Sequence, residues 1–345
     1  MNNIVLTGGG TGGHCIPNVA LLPYLKSFDN VYYIGSTPIE KNIAIKNGLT
    51  YFNVPSQKLV RSFTLKNLSI PFTIIKGIKE SKEVLKKLKP KVVFSKGGYV
   101  SFPVVVAARS LKIPVVLHES DYSIGLANKL SFKFCDKILT AFPETAKTIK
   151  NAEFVGNPIR KFNLNKNQTI YKKQLGLDDK PTILVIGGSL GSKKINEVIL
   201  SSLENLLPHF NVLHIVGKNN ATNISKKGYV QLEFLDDIEK AYSLADVAIS
   251  RAGANTLFEL CSLKIPTLFI PLSNKVSRGD QIENARYFAN KNMALTLMEE
   301  DLTKENLTEK IFYLYKNRFT FVKNLESLDL LGANQKIANI LSSYI

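Results

Sequence analysis

Short apolar segments alternate with helical segments along almost the whole chain, and this alternation limits the possible fold. In the first half the predicted strands are Ile4–Thr7, Val31–Ile34, Thr50–Val54, Val92–Ser95, Val115–His118 and Lys137–Thr140. In the second half they are Thr182–Ile186, Asn211–Ile215, Val230–Glu233, Val247–Ser250 and Thr267–Ile270. Helical segments such as Pro17–Lys26 and Pro103–Leu111 follow most of them. Strands joined in this way form parallel sheets flanked by helices, so the pattern predicts an α/β protein.

The chain is long enough for two domains. Its 345 residues exceed the size that one hydrophobic core usually supports. Gly156-Asn157-Pro158 separates the two series of strands, and a residue before proline prefers extended backbone. We therefore predict two doubly wound, Rossmann-like parallel-sheet domains that face each other across a cleft, at residues 1–158 and 159–331. Residues 332–345 are predicted to form a closing helix that packs on one of the domains, with the first domain as one option.

The charge of the chain indicates an anionic partner. It has 45 Lys and Arg against 28 Asp and Glu, a net charge of +17, which favours a nucleotide, a nucleic acid or an acidic lipid. Between Lys58 and Lys91 ten basic residues and two acidic ones are interleaved with apolar residues. Two helices, Ser69–Lys76 and Lys79–Lys89, are predicted there. This segment is either a solvated lysine face over ordinary core or a patch that binds an anionic membrane surface.

The cysteines and the apolar runs indicate a cytoplasmic protein. The three cysteines are widely spaced and form no CxxC pair, which argues against a disulfide framework or a structural zinc site. The start of the chain lacks the pattern of a signal peptide. No apolar run reaches the ~20 residues that a membrane-spanning helix needs.

Three glycine-rich turns follow predicted strands and open helices, at 7–14, 187–192 and 250–256. The amide groups and the dipole at a helix N-terminus favour phosphate. The first turn matches neither a Walker loop nor the dinucleotide GxGxxG pattern. All three turns lie where open α/β sheets bind ligands. Glu259, beyond the third turn, is either a ribose ligand or a surface acid that stabilises the helix dipole.

Six motifs in one order resemble the MurG family of N-acetylglucosaminyltransferases, which act in bacterial peptidoglycan synthesis. They are Gly8-Gly9-Gly10-Thr11-Gly12-Gly13-His14, Ser95-Lys96-Gly97-Gly98-Tyr99-Val100-Ser101, His118-Glu119-Ser120, Gly156-Asn157-Pro158-Ile159-Arg160, Gly187-Gly188-Ser189-Leu190-Gly191 and Asp280-Gln281-Ile282-Glu283-Asn284-Ala285. The resemblance implies a GT-B fold, with the acceptor in the first domain and the donor in the second. It implies transfer of GlcNAc from UDP-GlcNAc to the 4-hydroxyl of MurNAc in undecaprenyl-pyrophosphoryl-MurNAc-pentapeptide, with inversion and without a metal or other cofactor. The enzyme is then expected at the cytoplasmic face of the membrane, as a peripheral protein.

The resemblance also implies which residues contact the donor. They are Thr11, Gly12, Gly13, Arg160, Ser189, Leu235, Ala254, Asn255, Thr256, Leu257, Phe258, Glu259 and Gln281. One position departs from the family, because Asp121 stands where some members carry an asparagine that touches the donor. A carboxylate lacks the hydrogen-bond donors of an amide.

The reaction needs a base near the acceptor hydroxyl, and the sequence has four histidines to supply it. His14 lies on the first glycine turn and is the predicted base. His118, which ends a strand beside Glu119, is the second candidate. His209 and His214 are predicted to be structural.

Two other functions share some of these features. A UDP-GlcNAc 2-epimerase would have the same donor site but no need for a lipid-linked acceptor, so the basic segment argues against it. A nucleic-acid-binding protein would use the positive charge. The sequence lacks the zinc-finger, helix-turn-helix and RNP patterns of that class, so no nucleic-acid partner is expected.

Overall fold

The computed structural model describes residues 1–10, 12–58, 69–164, 168–188, 191–235, 237–275, 277–328 and 330–345. Thr11, Ser189 and residues 59–68 of the basic segment lie outside the described residues. The chain divides into two compact units, of which unit 1 comprises 1–160 with 331–345 and unit 2 comprises 161–330. Within the described ranges, no helix combines the length and the apolar character needed to cross a bilayer.

Unit 1 contains a seven-stranded parallel sheet in the order β3-β2-β1-β4-β5-β6-β7. Its strands are β1 Asn3–Thr7, β2 Asn30–Gly35, β3 Thr50–Asn53, β4 Val92–Ser95, β5 Val115–Glu119, β6 Lys137–Thr140 and β7 Ala152–Phe154. Its helices before residue 160 are α1 Gly12–Leu21, α2 Pro38–Lys46, α3 Ile70–Leu88, α4 Phe102–Ser110, α5 Leu126–Ser131 and α6 Pro143–Thr148.

The strands of unit 1 are apolar on both faces, as expected of a parallel sheet covered by helices. Ile4 and Leu6 of β1 pack in one core cluster, together with Leu21 of α1. Val5 points to the other face and packs in a second cluster with Leu85 and Val104 of α3 and α4. The alternation of β1 side chains between two buried faces fixes this strand in the centre of the sheet.

Helix α3 is one continuous helix, and the prediction of two helices, Ser69–Lys76 and Lys79–Lys89, was wrong. The two predicted helices leave out Gly77 and Ile78, and glycine has a low helix propensity. In the structure Gly77 is buried inside α3, and a Cβ atom there would lie 2.2 Å from the carbonyl oxygen of Pro55. Glycine therefore allows a close approach of α3 to neighbouring backbone, and packing outweighs its low helix propensity.

Unit 2 contains a six-stranded parallel sheet in the order β10-β9-β8-β11-β12-β13. Its strands are β8 Thr182–Ile186, β9 Asn211–Ile215, β10 Tyr229–Leu232, β11 Val247–Ser250, β12 Thr267–Phe269 and β13 Leu295–Thr296. Its helices are α7 Gln168–Gln174, α8 Lys193–Leu206, α9 Ile238–Leu244, α10 Ala254–Ser262, α11 Asp280–Asn290, α12 Lys304–Lys316 and α13 Arg318–Glu326. The predicted class of two doubly wound parallel-sheet domains is confirmed.

The remaining differences from prediction concern short elements and helix ends. Strands β7 and β13 were not predicted, because two or three residues at a sheet edge carry little apolar pattern. Helix α1 begins at Gly12, five residues before the predicted start at Pro17. This earlier start places His14 in the first turn of α1.

The last helix, α14 (Ala333–Ser342), belongs to unit 1. Ile337 and Leu341 pack in the same core cluster as β1. Buried Asn334 accepts a hydrogen bond from the amide of Ile159 and donates to the carbonyl oxygens of Ile159 and Ala20, at 3.1, 2.8 and 3.0 Å. These bonds tie 159–160 to α14, so the structural boundary between the units falls after Arg160.

We expect Asn334→Ala to destabilise unit 1 by about 1–3 kcal/mol, because the substitution leaves buried backbone groups without partners. Urea unfolding, followed by a probe in unit 1, measures this loss. Gln335→Ala is the matched control, since Gln335 is exposed on the same helix and bonds only to Asn339 among the described residues. Equal stability of the two variants would contradict the role of Asn334.

Candidate functional site

Each sheet has one place where the strand order reverses, and ligands of open α/β sheets bind at the carboxyl ends of the strands there. In unit 1 this place lies between β1 and β4, and in unit 2 it lies between β8 and β11. The three glycine-rich turns of the sequence follow β1, β8 and β11, and the motif Ser95–Ser101 follows β4. Each unit therefore has a candidate site at its own switch point.

The glycine turn after β1 is held by a buried carboxylate. Glu40 of α2 accepts a hydrogen bond from the amide of Gly10 at 2.7 Å and also bonds to the amides of Ser36 and Thr37. The amide of Gly9 donates to the carbonyl oxygen of Gly97 at 3.3 Å. These two amides of the turn thus bond within the protein.

The turns after β1 and β4 pack against each other. Gly98 has a φ of 82°, in the left-handed region, and a Cβ atom there would lie 2.4 Å from the carbonyl oxygen of Gly9 and 3.3 Å from Nε2 of His14. Any larger residue at this position would displace the first turn. Gly98 therefore places the second turn directly beside the imidazole.

His14 is partly exposed in the first turn of α1, and its ring orientation is fixed by β4. Nδ1 lies 3.2 Å from the carbonyl oxygen of Lys96. Because a carbonyl oxygen only accepts, Nδ1 carries the proton in this contact and Nε2 is the basic nitrogen of the neutral ring. This tautomer suits the predicted base.

His118, the second candidate base, is buried and its two nitrogens are both engaged. Nε2 donates to the carbonyl oxygen of Gly156 at 2.8 Å, and Nδ1 accepts from Nζ of Lys96 at 2.7 Å. Burial, followed by the charge of Lys96, lowers the pKa of His118 well below its usual value. His118 is a structural neutral imidazole, and the hypothesis that it serves as a base is not supported.

The acids beside His118 differ in their environments. Glu119 is buried and accepts hydrogen bonds from the amides of Asp121 and Gly125 and from the side chain of Asn128, at 3.1, 2.9 and 2.8 Å. Burial, and then the charge of Asp121, raise the pKa of Glu119. Asp121 is partly exposed at the carboxyl end of the sheet.

In unit 2, Arg251, the residue after β11, bonds to residues that follow β8, β12 and β13. Its guanidinium donates to Oγ of Ser192 at 2.7 Å, to the carbonyl oxygens of Ile270 and Pro271 at 3.1 and 3.2 Å, and to the carboxylate of Glu299. Ser192 caps α8 by accepting from the amide of Ile195 at 3.4 Å. Arg251 therefore fixes the helix start that follows the glycine turn after β8.

Helix α10 begins directly after β11 and presents Asn255 and Thr256 in its first turn, both partly exposed. The side chains of Leu257 and Phe258 are buried in the core, and that of Ala254 is nearly buried. Of this predicted donor segment, Asn255 and Thr256 are thus the side chains that solvent reaches most readily. The helix start suits the diphosphate of a nucleotide.

Glu259 is not a surface acid, and that alternative was wrong. Its side chain is 5% exposed, and Oε2 accepts a hydrogen bond from the hydroxyl of Tyr242 at 2.8 Å. It lies in the second turn of α10, beyond the reach of the first-turn dipole effect. Burial of a carboxylate is costly unless hydrogen bonds satisfy it, and the bond from Tyr242 is one of these.

The other predicted donor residues lie on separate segments. Gln281 is in the first turn of α11, where Oε1 accepts from the amide of Leu272 at 3.1 Å. Leu235 follows β10 and is partly exposed. Arg160 is partly exposed at the end of the first stretch of unit 1. Gln281 and Leu235 belong to unit 2, and Arg160 belongs to unit 1.

Sequence reasoning missed Glu40 and Arg251. Glu40 stands three residues after Thr37, which is the spacing of a capping box, and the box is present at the start of α2. That spacing is a signal for a helix start, but it does not indicate that the same carboxylate holds the neighbouring glycine turn. Arg251 was part of the third turn, and a lone arginine in a turn gave no sign of its four partners.

Comparison with known proteins gives the family. Residues 4–140 match the model of the glycosyltransferase family 28 N-terminal domain, and residues 182–335 match the model of its C-terminal domain. The chain belongs to glycosyltransferase family 28. The two matched segments each carry one of the switch points described above.

A relative and a solved structure extend this result over the whole chain. A Clostridium botulinum (strain Kyoto / Type A2) protein is 46% identical over 352 aligned residues, which cover 100% of this chain and 99% of the relative. It is named UDP-N-acetylglucosamine–N-acetylmuramyl-(pentapeptide) pyrophosphoryl-undecaprenol N-acetylglucosamine transferase. The crystal structure of Acinetobacter baumannii MurG is 25% identical and covers 99% of this chain and 100% of its own, with a TM-score of 0.78.

The fold extends beyond this family. The structure of a UDP-N-acetylglucosamine 2-epimerase from Listeria monocytogenes covers 98% of this chain and 94% of its own, with a TM-score of 0.68 at 14% identity. Identity at that level shows a common fold alone. The family 28 assignment rests on the matches to both domain models and on the relative from Clostridium.

Proposed function

We propose that this family 28 glycosyltransferase transfers GlcNAc from UDP-GlcNAc to the 4-hydroxyl of MurNAc in undecaprenyl-pyrophosphoryl-MurNAc-pentapeptide. The observation that carries the proposal is the 46% identity, over the whole chain, to a relative that is named for this transfer. The motifs of the sequence and the chemistry of the two switch points agree with it.

Unit 2 binds the donor in this proposal. The amides at the start of α10 and the hydroxyl of Thr256 receive the diphosphate, whose charge the helix dipole favours. Glu259 accepts hydrogen bonds from ribose hydroxyls in addition to the one that it accepts from Tyr242. Gln281 contacts GlcNAc hydroxyls. Arg160 and Ser189 complete the donor contacts, together with the amino end of α1 and the chain at Leu235.

Unit 1 binds the acceptor and supplies the base. Nε2 of His14 takes the proton from the 4-hydroxyl as this oxygen attacks the anomeric carbon of GlcNAc. The bond between that carbon and the diphosphate oxygen breaks, and its electron pair leaves with UDP. The start of α10 offsets the charge that develops on the leaving oxygen. One displacement of this kind inverts the anomeric carbon, and no step in it calls for a metal ion.

Helix α3 docks the protein on the anionic cytoplasmic face of the membrane. Phe72 and Ile75 are 76% and 66% exposed, which an ordinary solvated lysine face would not show. Exposed Lys76 and Lys79 share their side of the helix at a spacing of three to four residues. Apolar side chains enter the membrane interface. Each lysine near the anionic headgroups contributes about 1 kcal/mol to binding. Together these contacts hold the protein beside a lipid-linked acceptor.

Reversal of Lys79, Lys82 and Lys86 to glutamate is expected to weaken vesicle binding and to lower activity on a membrane-embedded acceptor. The cause is loss of headgroup attraction, which salt above about 0.1 M also screens. Sedimentation with anionic vesicles measures binding. Activity on a water-soluble, short-chain acceptor is the control and stays near normal. If the triple variant sediments like wild type, α3 is a solvated helix face only.

The transfer itself is tested by incubation of the protein with radiolabelled UDP-GlcNAc and a short-chain analogue of the lipid acceptor, with and without EDTA. The expected product is the β(1→4)-linked disaccharide, formed equally in both samples. If the protein instead converts UDP-GlcNAc to its 2-epimer without acceptor, the proposed transfer is wrong and the protein is a UDP-GlcNAc 2-epimerase. Absence of both products would reject both functions.

A further inference from the structure

Lys96, the residue after β4, is a buried lysine that the mechanism above does not use. Its side chain is 1% exposed. Nζ lies 2.7 Å from Nδ1 of His118 and 3.1 Å from Oδ1 of Asn157, and it also bonds to Oγ of Ser120. An ammonium has three donors and no acceptor, so these three partners match its full capacity.

The three partners lie on separate segments of unit 1. His118 belongs to β5, Ser120 follows that strand, and Asn157 precedes the end of the first stretch of the unit. Hydrogen bonds from a charged donor are about twice as strong as neutral ones. A single side chain therefore links the carboxyl ends of β4 and β5 to the segment after β7.

The backbone of Lys96 connects this cluster to His14. Its carbonyl oxygen accepts from Nδ1 of His14 at 3.2 Å, and its amide donates to the carbonyl oxygen of Thr7 at 2.8 Å. A Cβ atom at Gly8 would lie 3.0 Å from Cβ of Lys96, so the first glycine turn packs on this residue. A shift of Lys96 therefore moves the group that orients the imidazole.

The charges that face Lys96 come from neighbouring segments. Glu119 on β5 and Asp121 just after it are acidic, and both raise the pKa of the ammonium. His118 is neutral, and Nδ1 of His14 contacts the Lys96 carbonyl oxygen. Loss of the lysine charge would leave two adjacent carboxylates unbalanced, because the charge of Asp121 already raises the pKa of Glu119.

We propose that Lys96 is a positioning residue: its buried ammonium balances Glu119 and Asp121, ties β4 to β5 and to Asn157, and thereby holds the carbonyl oxygen that orients His14. The inference rests on the proposed function, in which His14 is the base.

The proposal predicts a pH dependence. Burial lowers the pKa of Lys96 to about 7. Deprotonation of Lys96 as the pH increases weakens the tie and lowers kcat. In the wild type, kcat therefore falls on the alkaline side of the pH profile, and this alkaline limb reports the deprotonation of Lys96.

The test compares kcat and KM of Lys96→Met, Lys91→Met, Asp121→Asn and the Lys96→Met/Asp121→Asn double variant on a water-soluble acceptor. Methionine keeps the unbranched shape and removes the charge.

Lys91 is the matched control, because it is exposed at the opposite end of the same strand. We expect Lys96→Met to lower kcat about tenfold or more through misplacement of the base, with little change in the KM for donor. Lys91→Met retains the wild-type kcat.

Two further results distinguish a positioning role from a purely structural one. The alkaline limb is lost in Lys96→Met, and Asp121→Asn, which removes a charge that favours the ammonium, shifts the limb to lower pH. The kcat of the double variant is at least about threefold higher than that of Lys96→Met, as expected for charges that interact. Wild-type kcat in Lys96→Met, or an alkaline limb that none of these variants moves, overturns the proposal. If Lys96→Met does not fold, the position of the alkaline limb in Asp121→Asn tests the proposal, and a limb at the wild-type pH overturns it.

A measurement that needs no activity separates this proposal from the proposed function. Between pH 7 and 10 the unfolded chain holds the Lys96 proton and the native protein does not, so the stability of the wild type relative to Lys96→Met rises with pH. Urea midpoints of the two proteins measure this difference. A difference that stays constant from pH 7 to 10 overturns the titration of Lys96. A rising difference without any GlcNAc transfer supports the titration of buried Lys96 and rejects the proposed reaction.

Discussion

Replacement of His14 by alanine should lower kcat by roughly 10²- to 10⁴-fold, the usual contribution of a general base. The fixed Nδ1 contact with Lys96 makes Nε2 the basic nitrogen, and alanine removes it. Donor affinity should not change, because the bulk of the proposed donor contacts belong to unit 2. Steady-state kinetics on a short-chain acceptor and calorimetry with UDP-GlcNAc measure the two effects.

His14→Asn is the matched control for ring orientation. Its side-chain amide retains a donor toward the Lys96 carbonyl oxygen but has no basic nitrogen. We expect this variant to be as inactive as His14→Ala. Near-normal kcat in either variant would remove His14 from the reaction, and since His118 is buried with both nitrogens engaged, the base would then have to be sought outside the histidines of this edge.

Glu259→Gln should weaken UDP-GlcNAc binding by about 10- to 100-fold, the range for loss of a hydrogen bond to a charged group. Glutamine keeps the size of the side chain and an acceptor for Tyr242, so the fold is preserved. Glu259→Ala should also lose stability, since it leaves the buried Tyr242 hydroxyl without this acceptor. Calorimetry gives the donor Kd, and urea unfolding gives the stability.

Tyr242→Phe separates the two roles of the carboxylate. This variant removes the same hydrogen bond from the protein side and leaves both oxygens of Glu259 in place. We expect a loss of stability with a donor Kd close to that of the wild type. If Glu259→Gln binds UDP-GlcNAc as tightly as the wild type, Glu259 only supports Tyr242 and is not a donor ligand.

The sheets were predictable because their strands are continuous apolar runs that end in glycine turns. Val5, Ile183 and Val247 all lie in such runs, and all are buried. The turns mark the carboxyl ends of the strands, so the sequence also indicated the edge of each sheet at which ligands bind. The sequence pattern does not show where distant segments approach each other closely. At Gly77, for example, α3 lies close to the carbonyl oxygen of Pro55.

The buried charges were not predictable for a different reason. Lysine and glutamate are almost always exposed, so a sequence pattern assigns Lys96, Glu40 and Glu259 to the surface by default. Each is buried because partners far away in the chain satisfy it, such as Asn157 for Lys96 and Gly10 for Glu40. These partners are known only once the sheet has brought the strand ends together.

The hydrogen bonds of Asn334 bear on the order in which the protein forms during translation. A ribosome releases residues 1–160 long before residues 331–345, yet α14 covers one face of the first sheet and bonds to Ile159. Domains generally fold as units during synthesis, N-terminal first. Here unit 2, whose residues are contiguous, is able to finish first, while the nascent unit 1 keeps an apolar face uncovered until α14 arrives. Chaperones that bind apolar surface would therefore find their target on the first part of the chain to be made.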